Sequence, residues 1–154
     1  RERRERLGQS GATVWLTGQA GSGRWALAYA LERRLFDLGR TAHVVDPVGE
    51  NLPGIASAAR ACTDAGLITI CAFESKRRAD REQARERVGK ERFIEVFVDT
   101  NLAVCKERRP DADFSGFEAP TSAALTVRLD TIRTHDAVEQ IVAALEAAGQ
   151  FGER

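Results

Sequence analysis

Five short apolar runs, kept apart by stretches of helical period, constrain this chain more than any other feature. ATVWLT (12–17), TAHVVD (41–46), LITICAF (67–73), FIEVFVD (93–99) and LTVRLD (125–130) read as strands. Several are apolar on consecutive residues, as strands covered on both faces of a parallel sheet must be. Between and after them, 25–38, 55–65, 78–88, 102–109 and 136–148 carry helical patterns, and Gly39, Gly66 and Gly89 stand where the first three should stop. In the last helix Ala137, Val138, Ile141, Val142 and Leu145 recur at steps of three and four, a stripe suited to one sheet face. The alternation places the chain in the α/β class.

Composition narrows what such a fold can do. At 154 residues, 43% hydrophobic and 30% charged, the chain suits one compact domain burying roughly 70% of its unfolded surface. Twenty-three basic side chains balance 23 acidic ones, so the positive excess that drives nucleic-acid binding is missing. The longest apolar run, 67–73, falls far short of the roughly 20 residues that span a bilayer. No leader pattern opens the chain, and neither a nucleic-acid nor a membrane partner is expected. Cys62, Cys71 and Cys105 form an odd set without a C-x-x-C pair, which points to a reducing cytoplasm rather than to a disulfide framework or zinc site. Arg1 to Gly8 is nearly all charged, with Leu7 its apolar member, and reads as a solvated helical lead-in. The start RERRER and the absence of Met suggest a domain excised from a longer protein. The expected division is lead-in 1–10, domain 11–149 and tail 150–154.

The first strand runs into GQAGSGRW, residues 18–25, and then into a helix. A phosphate loop needs this setting, because its glycines let backbone N–H groups point inward while the helix N-terminus adds positive potential. Gly18 and Gly23 fit the two glycines of G-x-x-x-x-G-K-[ST], and Gly21 adds a flexible point. The last two positions differ. Arg24 replaces Lys with a wide planar fork, and Trp25 replaces the hydroxyl that would serve magnesium. The same glycines also suit a plain tight turn; spacing, position and flanks favour phosphate-loop ancestry.

Four segments in order, GATVWLTGQAGSG, DAGLITICAFES with RRADREQAR, RFIEVFVDTNLAVCKER, and EAP before LDT, resemble adenylylsulfate kinase, which phosphorylates adenosine 5'-phosphosulfate with ATP. The resemblance covers nearly the whole chain. It implies a P-loop kinase-like three-layer sandwich with a five-stranded parallel sheet in order 2-3-1-4-5. It also implies an anion- or nucleotide-binding set of Gly18, Gly21, Ser22, Gly23, Arg24 and Arg108, for ATP, ADP, sulfate or phosphate, with Thr100, Cys105 and Arg108 around the adenine pocket. Cys105 reads equally as a core residue. The opening RERRERLGQSG resembles the linker before this kinase in fused sulfate-activating enzymes, which implies an attached or associated domain of ATP sulfurylase type.

The departures carry as much as the matches. Where the family has D-G-D-N this chain has Asp46, Pro47, Val48, Gly49, so only the first acid remains. The arginine-rich substrate arm that should follow is shortened to ENLPGIASAARACTDAG, with Arg60 its basic residue. The family's F-I-S-P turn reads Phe73, Glu74, Ser75, Lys76; Ser75 keeps the serine assigned as a phosphoserine intermediate, or simply caps the helix at Arg78. A link at 109–120 replaces the family's mobile lid. A kinase must hold two anions, align them, neutralise developing charge and exclude water, and each task has lost a part here.

The expectation is therefore a catalytically silent kinase-like domain with a regulatory or structural role, in which magnesium has no place and Trp25 packs against an apolar neighbour. Two rivals stay open: a working kinase using Arg24 with magnesium held by water and Asp46, and a bare anion binder. A homodimer is compatible with any of these. His43 and His135 lack ligand-spaced neighbours and read as structural or surface residues. The seven basic residues of 76–90 alternate with Asp80, Glu82 and Glu86, the pattern of a solvated helix face.

Overall fold

The computed structural model describes residues 2–45 and 51–151. Its order is α1 (Glu2–Leu7), β1 (Ala12–Thr17), α2 (Arg24–Asp37), β2 (Ala42–Val44), α3 (Leu52–Asp64), β3 (Ile68–Phe73), α4 (Arg78–Val88), a 3-10 turn (Lys90–Arg92), β4 (Phe93–Val98), α5 (Leu102–Arg108), β5 (Leu125–Val127) and α6 (Thr134–Ala147). The five strands form one parallel sheet in the order β2-β3-β1-β4-β5.

Right-handed crossovers decide which face each helix covers. The leftward step from β1 to β2 puts α2 on one face, where α6 joins it. Leu27, Leu31 and Leu35 of α2 and Val138, Ile141 and Leu145 of α6 pack there on Val14, Leu16, Ile70 and Val96. Rightward steps put α3 and α4 on the other face. Ile55, Ala59, Ala84 and Val88 pack there on Trp15, Cys71, Phe73 and Phe93. β1 and β3 are buried along their full length, which explains their unbroken apolar runs.

Several expected boundaries move for local reasons. α3 begins three residues early because the Asn51 side chain accepts the Gly54 N–H and Pro53 suits the first turn. The two edge strands are shorter than their apolar runs, three residues each. Asp46, the last residue of the second run, lies outside the described residues.

The helix of 78–88 is not the wholly solvated face expected. Arg81 is buried and pairs with the buried Glu95 of β4 (Nε to Oε1, 3.6 Å), while Arg85 reaches the other carboxylate oxygen at 3.1 Å. The outer charges do behave as surface pairs, Arg85 with Glu82 among them. In the lead-in, α1 has no buried residue. Gln9, two residues beyond it, is fully buried: Nε2 donates to the carbonyls of Thr41 and Gly66, and Oε1 accepts the Thr41 N–H. A polar residue in a charged stretch gave no sign of this.

Candidate functional site

The loop after β1 takes its shape from its glycines and from what lies beneath them. Gly21 and Gly23 adopt left-handed φ of 76° and 95°, which glycine adopts without penalty. A Cβ at Gly21 would come within 2.6 Å of the Cys105 carbonyl oxygen, so α5 packs directly under the loop. Thr100 Oγ1 donates to the Ser22 carbonyl at 2.7 Å, and Arg108 Nη1 donates to the Gly21 carbonyl at 3.1 Å. Thr100, Cys105 and Arg108, matched to the family's adenine pocket, thus brace the loop; Cys105 is a core thiol, and burial pushes its titration up. Gly18, Gly21, Ser22, Gly23, Arg24 and Arg108 all meet at this loop.

Arg24 opens α2, where the first-turn N–H groups have no intrahelical acceptor and the helix dipole is positive. Its side chain turns onto the loop itself. Nη1 donates to the carbonyls of Gly18 and Gln19, each at 2.9 Å, and Nε donates to the Ala72 carbonyl at 3.3 Å. The fork thereby ties the loop after β1 to the end of β3 through three N–H groups. Positive charge sits against the loop, and the loop's own carbonyls hold it.

Trp25 is half-buried as an edge-to-face partner of Phe73 (83°, centroids 6.2 Å) and stacks on Tyr29 (6.1 Å). An indole left flat in water would be costly, and these rings cover it. It faces a crevice of about 290 Å³ lined by Arg24, Phe73, Glu74, Ser75 and Lys76, among others. This crevice lies outside the carboxyl ends of β1 and β3, where the sheet order reverses direction, the place where open α/β sheets bind ligands. On the other side of the loop, Gly21 to Trp25 and Arg108 and Arg109 border a cleft of about 250 Å³.

Ser75 does not cap α4, which begins after Arg77 without a side-chain cap. It is a buried residue with a left-handed φ of 41°, whose hydroxyl donates to the Phe73 carbonyl and accepts from Trp15 Nε1, both at 3.2 Å. Glu74 and Lys76, which sequence reasoning passed over, frame the crevice and pair at 3.5 Å. Their place directly after a central strand was the available signal. Lys76 also donates to the carbonyls of Asp113 and Ser115, Arg78 to that of Ala119 and Arg81 to that of Glu118. The link at 109–120 is therefore sewn down as a strap, with Phe117 stacked on Phe97.

A magnesium–nucleotide complex does not suit these residues. Trp25 brings an indole where a hydroxyl ligand would stand, and Glu74 is already matched with Lys76. Among the described residues no three His, Cys, Asp or Glu side chains gather as a metal site. His43 and His135 are exposed, and all three cysteines are free thiols. Among the described residues no helix is long and apolar enough to cross a membrane.

A parallel 2-3-1-4-5 sheet with a glycine loop between β1 and α2 defines a P-loop α/β protein of the nucleotide-kinase type. Solved structures share this fold: the Mycobacterium tuberculosis APS kinase CysC, determined in complex with AMPPNP and APS, superposes with a TM-score of 0.80 at 24% identity over 90% of this chain and 99% of that one. A hexameric APS kinase from Thiobacillus denitrificans gives 0.74 at 23% identity, over 96% of this chain and 31% of that one. The family described as adenylylsulphate kinase matches residues 10–53 and 48–126, and this chain belongs to it. Proteins named adenylyl-sulfate kinase are 41% identical in Erwinia tasmaniensis (71% of this chain, 64% of the relative) and 34% identical in Escherichia coli (87% and 83%). The chain spans 64% of the length of the first of these. The Escherichia coli alignment runs to 166 positions against a chain of 154, so the relative carries residues absent here. The two family matches overlap at 48–53, at the start of the segment read as a shortened substrate arm.

Proposed function

We propose that this chain is an anion- and nucleotide-binding member of the adenylylsulfate kinase family that has given up phosphoryl transfer. The observation that carries this is Arg24: the residue in place of the loop lysine donates three N–H groups to the protein's own carbonyls, beside an indole in place of the magnesium ligand. A phosphoryl group in transfer needs a mobile cation and a metal at its oxygens. What persists is a glycine loop over a helix N-terminus, whose pull on a tetrahedral anion does not depend on a metal. The role left to such a domain is regulatory or structural within a larger sulfate-activating protein, and the likeness of residues 1–11 to the linker in fused enzymes supports an ATP-sulfurylase-type neighbour.

The second reading is the family's own reaction, ATP-dependent phosphorylation of adenylyl sulfate, favoured by relatives of that name at 34–43% identity. One experiment separates the two. Thermal shift and calorimetry with ATP and sulfate, with and without magnesium, run beside a coupled assay with adenylyl sulfate. Our reading expects a rise in melting temperature by mass action, unchanged by magnesium and reduced in Arg24→Ala, with turnover at the no-enzyme level. Turnover well above that level and lost in Arg24→Ala establishes the active kinase instead; absence of any shift leaves a purely structural domain.

A further inference from the structure

Lys76 serves the crevice and the strap at once. It lines the crevice beside Arg24 and Trp25, and it fastens the first half of the strap. An ammonium has three donors. Two go to the carbonyls of Asp113 and Ser115, each at 2.9 Å; the carboxylates of Glu74 at 3.5 Å and Asp113 at 3.8 Å compete for the third. Among the described residues these are the polar contacts that tie 113–115 to the rest of the molecule. The stretch is otherwise bonded to itself, with Ser115 N and Oγ both donating to Asp113 Oδ1. The second half of the strap is held separately. Phe117 stacks on Phe97 under the Arg81 guanidinium, while Arg78 and Arg81 donate to the carbonyls of Ala119 and Glu118. Gly116 joins the two halves with a left-handed φ of 75°, and a Cβ there would meet nothing within 4 Å. The joint is free to turn.

We propose that an oxyanion in the crevice draws Lys76 off the strap, so that ligand uptake releases residues 109–115 about Gly116 while 117–119 stay down. This rests on the anion-binding reading above and gives that reading an output. Glu74 lines the same crevice, so an arriving sulfate or phosphate group lies against a carboxylate unless the ammonium comes between them. A charge-assisted bond to an oxyanion is also about twice as strong as one to a neutral carbonyl. Both effects pull the ammonium inward. The backbone need not follow, because the neighbouring Ser75 is locked by Trp15 Nε1, Arg81 and its own bond to the Phe73 carbonyl; the flexible lysine stem makes the move.

Hydrogen exchange read by mass spectrometry tests this on the full chain in sodium sulfate, in ATP, and in sodium chloride of matched ionic strength, with calorimetry alongside. Where sulfate or ATP binds, the amides of 111–115 are expected to exchange about fivefold faster than in chloride, as when one tie of ordinary strength is lost. Those of 117–119 and β1 keep their chloride rates. Response to sulfate assigns the free ion, and response to ATP alone assigns the nucleotide's phosphates. Lys76→Met exchanges fast at 111–115 in every solution, whereas Lys76→Arg, which keeps the charge, stays near the wild-type chloride rate. Binding heat with 111–115 unchanged or slowed overturns the release and leaves the anion-binding reading standing, as does a Lys76→Met strap as well protected as the wild type. Absence of binding heat with both ligands removes the anion-binding reading, and the release with it.

Discussion

Arg81 shows how much a single residue type can conceal. In a run of seven basic side chains it looks like its neighbours, yet it is 2% exposed and sits over the Phe117 ring while holding Glu95, Ser75 and Glu118. Burial pulls its titration down and Glu95 pushes back. A buried pair broken on one side leaves an uncompensated charge, which costs about 3–5 kcal/mol. Arg85, at 3.1 Å from the same carboxylate, limits the damage, so Arg81→Met is expected near the lower end, about 3 kcal/mol by urea denaturation. A loss below about 1 kcal/mol would mean that Arg85 satisfies Glu95 alone. Because Arg81 also ties the strap through Glu118, the same substitution should raise proteolysis within 113–119.

At the scale of elements, the sequence was legible where apolar period is decisive. β1, β3, β4 and α4 fall within a residue of their expected bounds, because a doubly covered strand or an amphipathic helix writes its burial directly into side-chain type. The edge strands and the start of α3 were less legible, since pairing on one side and an asparagine cap are tertiary and local accidents. At the site, the loop could be read from its glycines, whereas the turn of the Arg24 fork onto Gly18, Gln19 and Ala72 could not, because a side chain's choice among carbonyls is made by the folded surroundings.

The end of α3 carries a pH-dependent contact of the same unreadable kind. Arg92 donates to Asp64 at 2.6 Å and holds its carboxyl below its ordinary value of 3.8. A depressed folded value gives stability that is present above the unfolded value and lost as pH falls through the folded one. The melting temperature is therefore expected to drop below about pH 4, with a smaller drop in Asp64→Asn. Asp113, lowered by Ser115 and Lys76, contributes in the same window, so Asp113→Asn should flatten the profile further. A profile identical in all three proteins would show that neither contact is felt by the fold.

Taken whole, the molecule has opposed ends. The carboxyl ends of the strands carry the loop, the crevice and the strap, while the amino ends gather residues 9–10 and 150–151. There Ser10 N donates to the Gln150 carbonyl at 2.7 Å, Gln9 bridges to Phe151, and the Arg40 guanidinium lies on the Phe151 ring at 4.4 Å. With residues 9–10 bonded to residues 150–151, the described backbone is close to a ring. Joining the extremities through a short linker and reopening at the exposed Thr121–Ser122 turn is expected to preserve the fold, because the closed loop is already paired and new ends at an exposed tip break no core contact. Native-like circular dichroism and a single cooperative melt would bear this out, and a molten spectrum would count against it. The same contact puts residues 9–10 and 150–151 on the side of the sheet away from the glycine loop, so a change at either segment is separated from the crevice by the full length of the strands.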